Sequence, residues 1–165
     1  MRTLILLGVL GCSQAPPLAD TSDEDAPEVV GNALRTELHN PRDGQVFARL
    51  RAEFFSGDRD GQHQSLTGVT VELLRRQVVL RSEKAELSGR NLQMWGKVRG
   101  VMPDGRRFEA PRLEYFSGPG MVSLSGPAVF KGDGHRLVAE GGAVADEAFD
   151  HLELQGPVRG RVQTR

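Results

Sequence analysis

The residues of this chain that could do chemistry are few, and none stand at catalytic spacing. Its 165 residues include one cysteine, Cys12, so no disulfide can form within the chain. The four histidines, His39, His63, His135 and His151, are scattered and never fall at the short intervals a metal site needs. Asp58-Arg-Asp60-Gly61 has the opening of a calcium loop without the later oxygen ligands or the closing glutamate, and reads as a solvated turn. Nucleophile-elbow, P-loop and zincin patterns (Gly-x-Ser-x-Gly, Gly-x-x-x-x-Gly-Lys, His-Glu-x-x-His) are missing. No helical period follows Gly132-Asp-Gly134 or Gly141-Gly142, so these are turns rather than phosphate cradles. The expectation is a binding protein, not an enzyme, with no cofactor and no metal.

Cys12 has a different chemistry in prospect. Met1-Arg2-Thr3 is a short basic start, residues 4–10 are an apolar run, and Gly11-Cys12 follows. This is the shape of a secretory signal, too short to span a bilayer. Val9-Leu10-Gly11-Cys12 resembles a bacterial lipobox, with an aliphatic residue three before the cysteine and a small one just before it. That resemblance implies removal of residues 1–11 and lipid attachment at Cys12. Acyl chains there, at about 0.8 kcal/mol per buried CH₂, would anchor the chain far more firmly than one myristoyl group. The anchor is expected on the periplasmic side of the inner membrane, with the outer membrane as the alternative.

Residues 12–45 read as a flexible acidic tether. Residues 13–45 hold seven acids and two bases, include Ala-Pro-Pro-Leu and Asp23-Glu24-Asp25, and contain no aromatic. Within them, residues 29–38 could form a short amphipathic segment. Residues 46–165 carry eighteen bases, fifteen of them arginine, against fifteen acids. Arginine suits bidentate contacts to phosphate. The overall charge of −1 argues against a polybasic nucleic-acid binder.

The elements that must carry any binding site recur in residues 46–165. Leu92-Gln-Met-Trp-Gly-Lys-Val98, Val122-Ser-Leu-Ser-Gly-Pro-Ala128 and Leu152-Glu-Leu-Gln-Gly-Pro-Val158 are alike, and Gly96, Gly126 and Gly156 follow one another at intervals of 30. Apolar residues at i and i+2 before each glycine predict a strand with one buried face. Companion strands are predicted at 108–115 and 136–143, and others at 46–55, 68–73 and 78–87. The span 71–87 would also suit a helix, but its valines favour strand. Pro103-Asp-Gly105, Ser117-Gly-Pro-Gly120 and Gly132-Asp-Gly134 are the connectors. Eight to ten short strands without a clear helix predict an all-β sandwich, jellyroll or barrel. A glycine repeated within strands marks a bend, and bends in register would curve the sheet into a trough floored by the apolar residues beside them.

The ordered succession of these units, including Phe108-Glu-Ala-Pro-Arg-Leu-Glu-Tyr115, Gly126-Pro-Ala-Val129 and Leu137-Val-Ala-Glu-Gly-Gly142 with Asp146, is similar to the β-jellyroll of the LptC family. Those are membrane-tethered periplasmic components of lipopolysaccharide export, related in fold to LptA. The resemblance covers residues 46–165. It implies a V-shaped jellyroll that takes lipopolysaccharide from an inner-membrane transporter complex and passes it to an LptA-like bridge protein docked edge to edge. A lipobox in place of that family's transmembrane helix is the departure. Strand parity and the resemblance together nominate the lipid-binding lining. From the repeat strands these are Leu92, Met94, Val98, Val122, Leu124, Leu152, Leu154 and Val158. From the companion strands they are Phe108, Ala110, Leu113, Tyr115, Leu137 and Ala139. Parity does not separate ligand contacts from ordinary core. Trp95 has the opposite parity and is expected outside. The alternative function is a structural lipoprotein or envelope assembly factor that pairs with other proteins by strand addition.

Overall fold

The computed structural model describes residues 29–39, 43–75, 77–116, 119–146 and 149–162. The expected signal, the lipid-attachment cysteine and the tether as far as residue 28 lie outside the described residues, as does part of the connector at 117–120.

Among the described residues twelve antiparallel strands form one sheet. β1 (Val29–His39), β2 (Val46–Gly57), β3 (His63–Leu73), β4 (Val78–Ser88), β5 (Asn91–Val101) and β6 (Arg107–Phe116) follow one another as a meander. At β6 the sheet forks. The second half of β6 pairs with β7 (Met121–Ser125), which pairs in turn with β10 (Gly142–Asp146) and then β11 (Leu152–Gln155). The first half of β6 pairs with β8 (Ala128–Gly132), then β9 (His135–Ala139) and β12 (Val158–Val162). We call the β7–β10–β11 side the first arm and the β8–β9–β12 side the second. The long strands β1–β6 run through both.

The line between the arms is a crease. Ala33, Gly68, Gly96 with Lys97, Gly126, Gly142 and Gly156 stand on it, all with φ between 61° and 94°. A handed turn of this kind bends the strand, and in β5 it accompanies a bulge, where the register shifts between Trp95 and Val98. The even strands close over the turn. Side chains of Glu53 and Glu83 lie against Gly68 and Gly96, and the ring of Pro111 lies against Gly126. The 30-residue glycine spacing thus corresponds to a real bend, and Gly126-Pro127, 140–141 and Gly156-Pro157 break three long strands into six short ones. These breaks, together with β1, are why twelve strands appear where eight to ten were expected. The span 71–87 is strand, turn and strand, with Gln77 at φ 53° in the connection.

The start of the folded unit differs from expectation. Residues 29–39, assigned to the tether, are β1, paired along its length with β2. β1 is an edge strand whose inward residues Leu34, Thr36 and Leu38 are only half-buried. With Arg35 and Glu37 between them, its composition is that of a linker. Among the described residues the sheet therefore includes Val29 to His39 and does not start at residue 46.

Alternation puts one continuous apolar face inside. Leu50, Val69, Val71, Val78, Met94, Val98, Phe108, Leu113, Val122 and Leu124 are almost wholly buried there. Gly100 has a packing role: the Phe108 ring occupies the space a side chain at 100 would take. The one buried polar side chain among the described residues, Ser82, sits at the crease, and its Oγ donates to the Lys84 carbonyl at 2.9 Å. The turns follow local chemistry. Asp133 (φ 48°) and Gly134 (φ 73°) form the two-residue hairpin that joins β8 to β9. In the β5–β6 turn Asp104 accepts from the Arg106 backbone N–H and from its guanidinium, which hold the Asp104 carboxyl below the usual carboxylate range.

Gly142 separates backbone geometry from sterics. Its φ is 94°, and a Cβ there would fall 1.9 Å from the Leu124 carbonyl oxygen, which cannot yield. Gly105 has a similar φ of 84° with nothing within 4 Å of the same position. Gly105→Ala is expected to cost about 1–2 kcal/mol from the handed backbone alone. Gly142→Ala should cost more than about 3 kcal/mol or prevent folding. Urea denaturation of the two variants measures the difference, and equal losses would show that the crease at Gly142 is not close-packed.

Candidate lipid-binding trough

The inner face includes four long rows of residues running across the strands, two on each arm. Beside the crease on the first arm the row runs from Leu66 and Ala85 through Met94, Leu113, Leu124 and Ala143 to Leu154. Next to it lies the row of Leu87, Leu92, Tyr115, Val122, Ala145 and Leu152. On the second arm one row passes through Val69, Ser82, Val98, Ala110, Ala128, Ala139 and Val158, and the other through Val71, Leu80, Gly100, Phe108, Phe130, Leu137 and Gly160. None of these residues is charged. They offer dispersion and exclusion of water, and very little hydrogen bonding, which is what an acyl chain can use.

All fourteen residues nominated as lining fall in these four rows, so parity reads the inner face correctly. Their exposure is graded along the sheet. Leu92, Met94, Val98, Phe108, Ala110, Leu113, Tyr115, Val122, Leu124 and Ala139 are buried, and Leu154 is half-buried. Leu137, Leu152 and Val158 are 39%, 40% and 47% exposed. Trp95 stands on the outer face between Lys84 and Arg112, as its parity predicts.

The gradient has a simple cause. In the middle of the sheet the arms pack inner face to inner face, and each row is covered by the opposite arm. Among the described residues no further strand follows β11 and β12, and the last inward residues of both arms are exposed. The interior is therefore closed in the middle of the sheet and most open at the β11–β12 end.

Aromatic rings hold the arms together. Phe47 of the second arm meets Tyr115 of the first with ring centroids 5.5 Å apart. Phe149, in the connection from β10 to β11 at the tip of the first arm, reaches across and stacks on Phe108 of the second, again at 5.5 Å. Phe149 has φ 55°, uncommon for a bulky residue, and its N–H donates to the Asp146 carbonyl at 3.0 Å. Both Phe47 and Phe149 escape strand-parity reasoning, one at a strand start and the other in a loop. A sequence signal for Phe149 exists only in retrospect, as an apolar ring isolated among the acids of Asp146-Glu-Ala-Phe-Asp150.

Two sets of edges are open. Among the described residues β1 has a partner only in β2, and β11 and β12 have partners only in β10 and β9. Backbone N–H and C=O groups on their free sides can take an added strand. Among the described residues no cluster of His, Cys, Asp and Glu could hold a metal ion, and no helix is long and apolar enough to cross a membrane.

No family model matches the chain, and no curated protein does. Solved structures do. LptH of Pseudomonas aeruginosa, described as the LptA-homologous periplasmic component of the lipopolysaccharide transport device, superposes with a TM-score of 0.55 at 14% identity. The match covers 71% of this chain and 95% of that one. The chain shares the all-β, creased jellyroll fold of that protein.

Proposed function

We infer that the chain is a periplasmic carrier of lipopolysaccharide, held to a membrane through Cys12. In this reading it receives lipopolysaccharide from an inner-membrane transporter and passes it to an LptA-like bridge protein. The observation that carries the reading is the uncharged inner face, open at the β11–β12 end, on a fold shared with a lipopolysaccharide-transport component. An amphiphile with several acyl chains cannot cross water unaided, because each exposed CH₂ costs about 0.8 kcal/mol. Leu137, Leu152 and Val158 would meet the chains first. Deeper lodging requires the arms to part, so that contacts between them are exchanged for contacts with lipid. The exchange is apolar for apolar, and its net free energy is small compared with leaving either surface in water. The open edges at β1 and at β11–β12 suit an edge-to-edge relay.

The alternative, an assembly factor that pairs with proteins by strand addition, uses the same edges and leaves the interior as core. Photo-crosslinking separates the two. A benzophenone side chain placed at Leu152 or Leu154, which face inward at the open end, should capture lipopolysaccharide in cells. The same group at Glu153, which faces outward between them, should not. Absence of capture at both inward positions in folded protein would favour the assembly factor.

Phe149 makes a second, quantitative test. Phe149→Ala removes the stacked ring that ties the loop to Phe108 and should cost about 1–2 kcal/mol of stability. If the arms part to admit lipid, the same variant should raise capture at Leu154 severalfold. Unchanged or reduced capture would show that the arms do not open on that side.

A further inference from the structure

The outer faces of the two arms differ in charge in a way the linear sequence conceals. On the second arm one outward row runs across the strands through Arg35, Arg51, Thr70, Arg81, Arg99, Glu109, Val129, Val138 and Arg159. The row beside it contains Arg49, Arg107, Lys131, Arg136 and Arg161, with Glu37 and Glu72 as its acids. Ten cations therefore face three carboxylates. The corresponding two rows on the first arm hold Lys84 and Arg112 against Glu86, Glu114 and Glu153. One arm is strongly basic outside, and the other is close to neutral.

The register sets cations directly opposite each other. Arg35 faces Arg51, Arg81 faces Arg99, Arg107 faces Lys131, and Arg136 stands between Lys131 and Arg161. Like charges at opposed positions destabilise a sheet. Internal carboxylates relieve only part of this: Glu37 pairs with Arg49 at 3.2 Å, Glu109 with Lys131 at 3.4 Å and Glu140 with Arg159 at 3.7 Å. Among the described residues Arg35, Arg51, Arg81, Arg99 and Arg107 have no ion-pair partner. Arg81, Arg99 and Arg107, with Lys97, outnumber Glu83 and Glu109 in the lining of an open depression of about 690 Å³ on this face, beside Val79 and the half-exposed Val101.

We propose that the outer face of the second arm docks on an anionic phospholipid surface. The complementarity is with phosphate, which arginine binds bidentately. The cations sit on eight strands of a span of nine, about 40 Å at 4.8 Å per strand, rather than gathered on one point. That breadth fits a plane of headgroups better than a single small anion. The two rows contain no aromatic ring on which a base could stack, which disfavours nucleic acid. Val79 and Val101 between the guanidiniums suit the boundary between headgroup and acyl region. Docking on this face lays the second arm flat on the bilayer and turns the first arm toward the aqueous side. The proposal goes beyond cargo binding and does not depend on it, because it uses only outward residues.

Vesicle flotation of the full chain carrying Cys12→Ser tests it, with vesicles of phosphatidylcholine alone or with 30% phosphatidylglycerol. The reading is the anionic-to-neutral partition ratio, which any apolar contribution of residues 4–10 leaves unchanged. The parent should partition preferentially to the anionic vesicles in 50 mM salt and lose that preference in 500 mM salt. Arg81→Gln/Arg99→Gln should lower the ratio about 25-fold, at about fivefold per arginine near an anionic surface. Its urea midpoint should be unchanged or higher, since a repulsion is removed. Lys84→Gln/Arg112→Gln on the first arm should change the ratio less than twofold. A ratio near one for the parent, as an acidic protein partner in place of a bilayer would give, overturns the proposal. So does an equal loss from both double variants.

Discussion

A line of left-handed backbone turns crosses the sheet, and the rest of the architecture follows from where that line falls. L-residues avoid this conformation at about 1–2 kcal/mol each, so glycine occupies most of the positions. Ala33 and Lys97 are the exceptions, held by the pairing on either side. A twelve-stranded antiparallel sheet without such a line would twist gradually and leave its apolar face in water. The crease folds the sheet on itself, so that one polypeptide surface covers another. It also divides each long strand into a part for each arm, and thereby decides which residues share an outer face. Close packing makes the bend hard to undo: Glu53, Glu83 and Pro111 lie over the glycines, and the Leu124 carbonyl sits against Gly142.

The interior that results is both core and candidate carrier surface. These two roles need the same chemistry, and that is why no polar signature distinguishes them. What distinguishes them is position along the sheet. Met94, Leu113 and Leu124 are sealed because the opposite arm covers them, whereas Leu152 and Val158 are the last of their rows. A carrier built this way can fold stably without cargo and still offer an apolar lip. The aromatic ties at Phe47–Tyr115 and Phe108–Phe149 set how readily the closed part yields.

Outside, the same register that aligns the apolar rows aligns charge. Opposed arginines are a local cost of the folded chain, which the proposed anionic surface would offset. Hydrophobicity inside and charge outside thus come from alternate positions of the same strands. In the two proposals above, the first would take tails and the second headgroups.

Strand parity was legible in the sequence, because a period of two needs only local alternation; it placed all fourteen nominated residues on the inner face and Trp95 on the outer one. The glycine rhythm was legible at Gly96, Gly126 and Gly156. It was missed at Gly68, which stands 28 rather than 30 residues before Gly96 and is flanked by threonines and a valine that read as plain strand. β1 was hidden by its linker-like composition, since an edge strand buries too little to need a strong apolar pattern. Only the tertiary structure decided the fork at β6, the degree of burial, the ring of Phe149 across the arms and the basic outer face. Those depend on which residues of distant strands come to lie side by side, and alternation specifies which way a side chain points but not what it will meet.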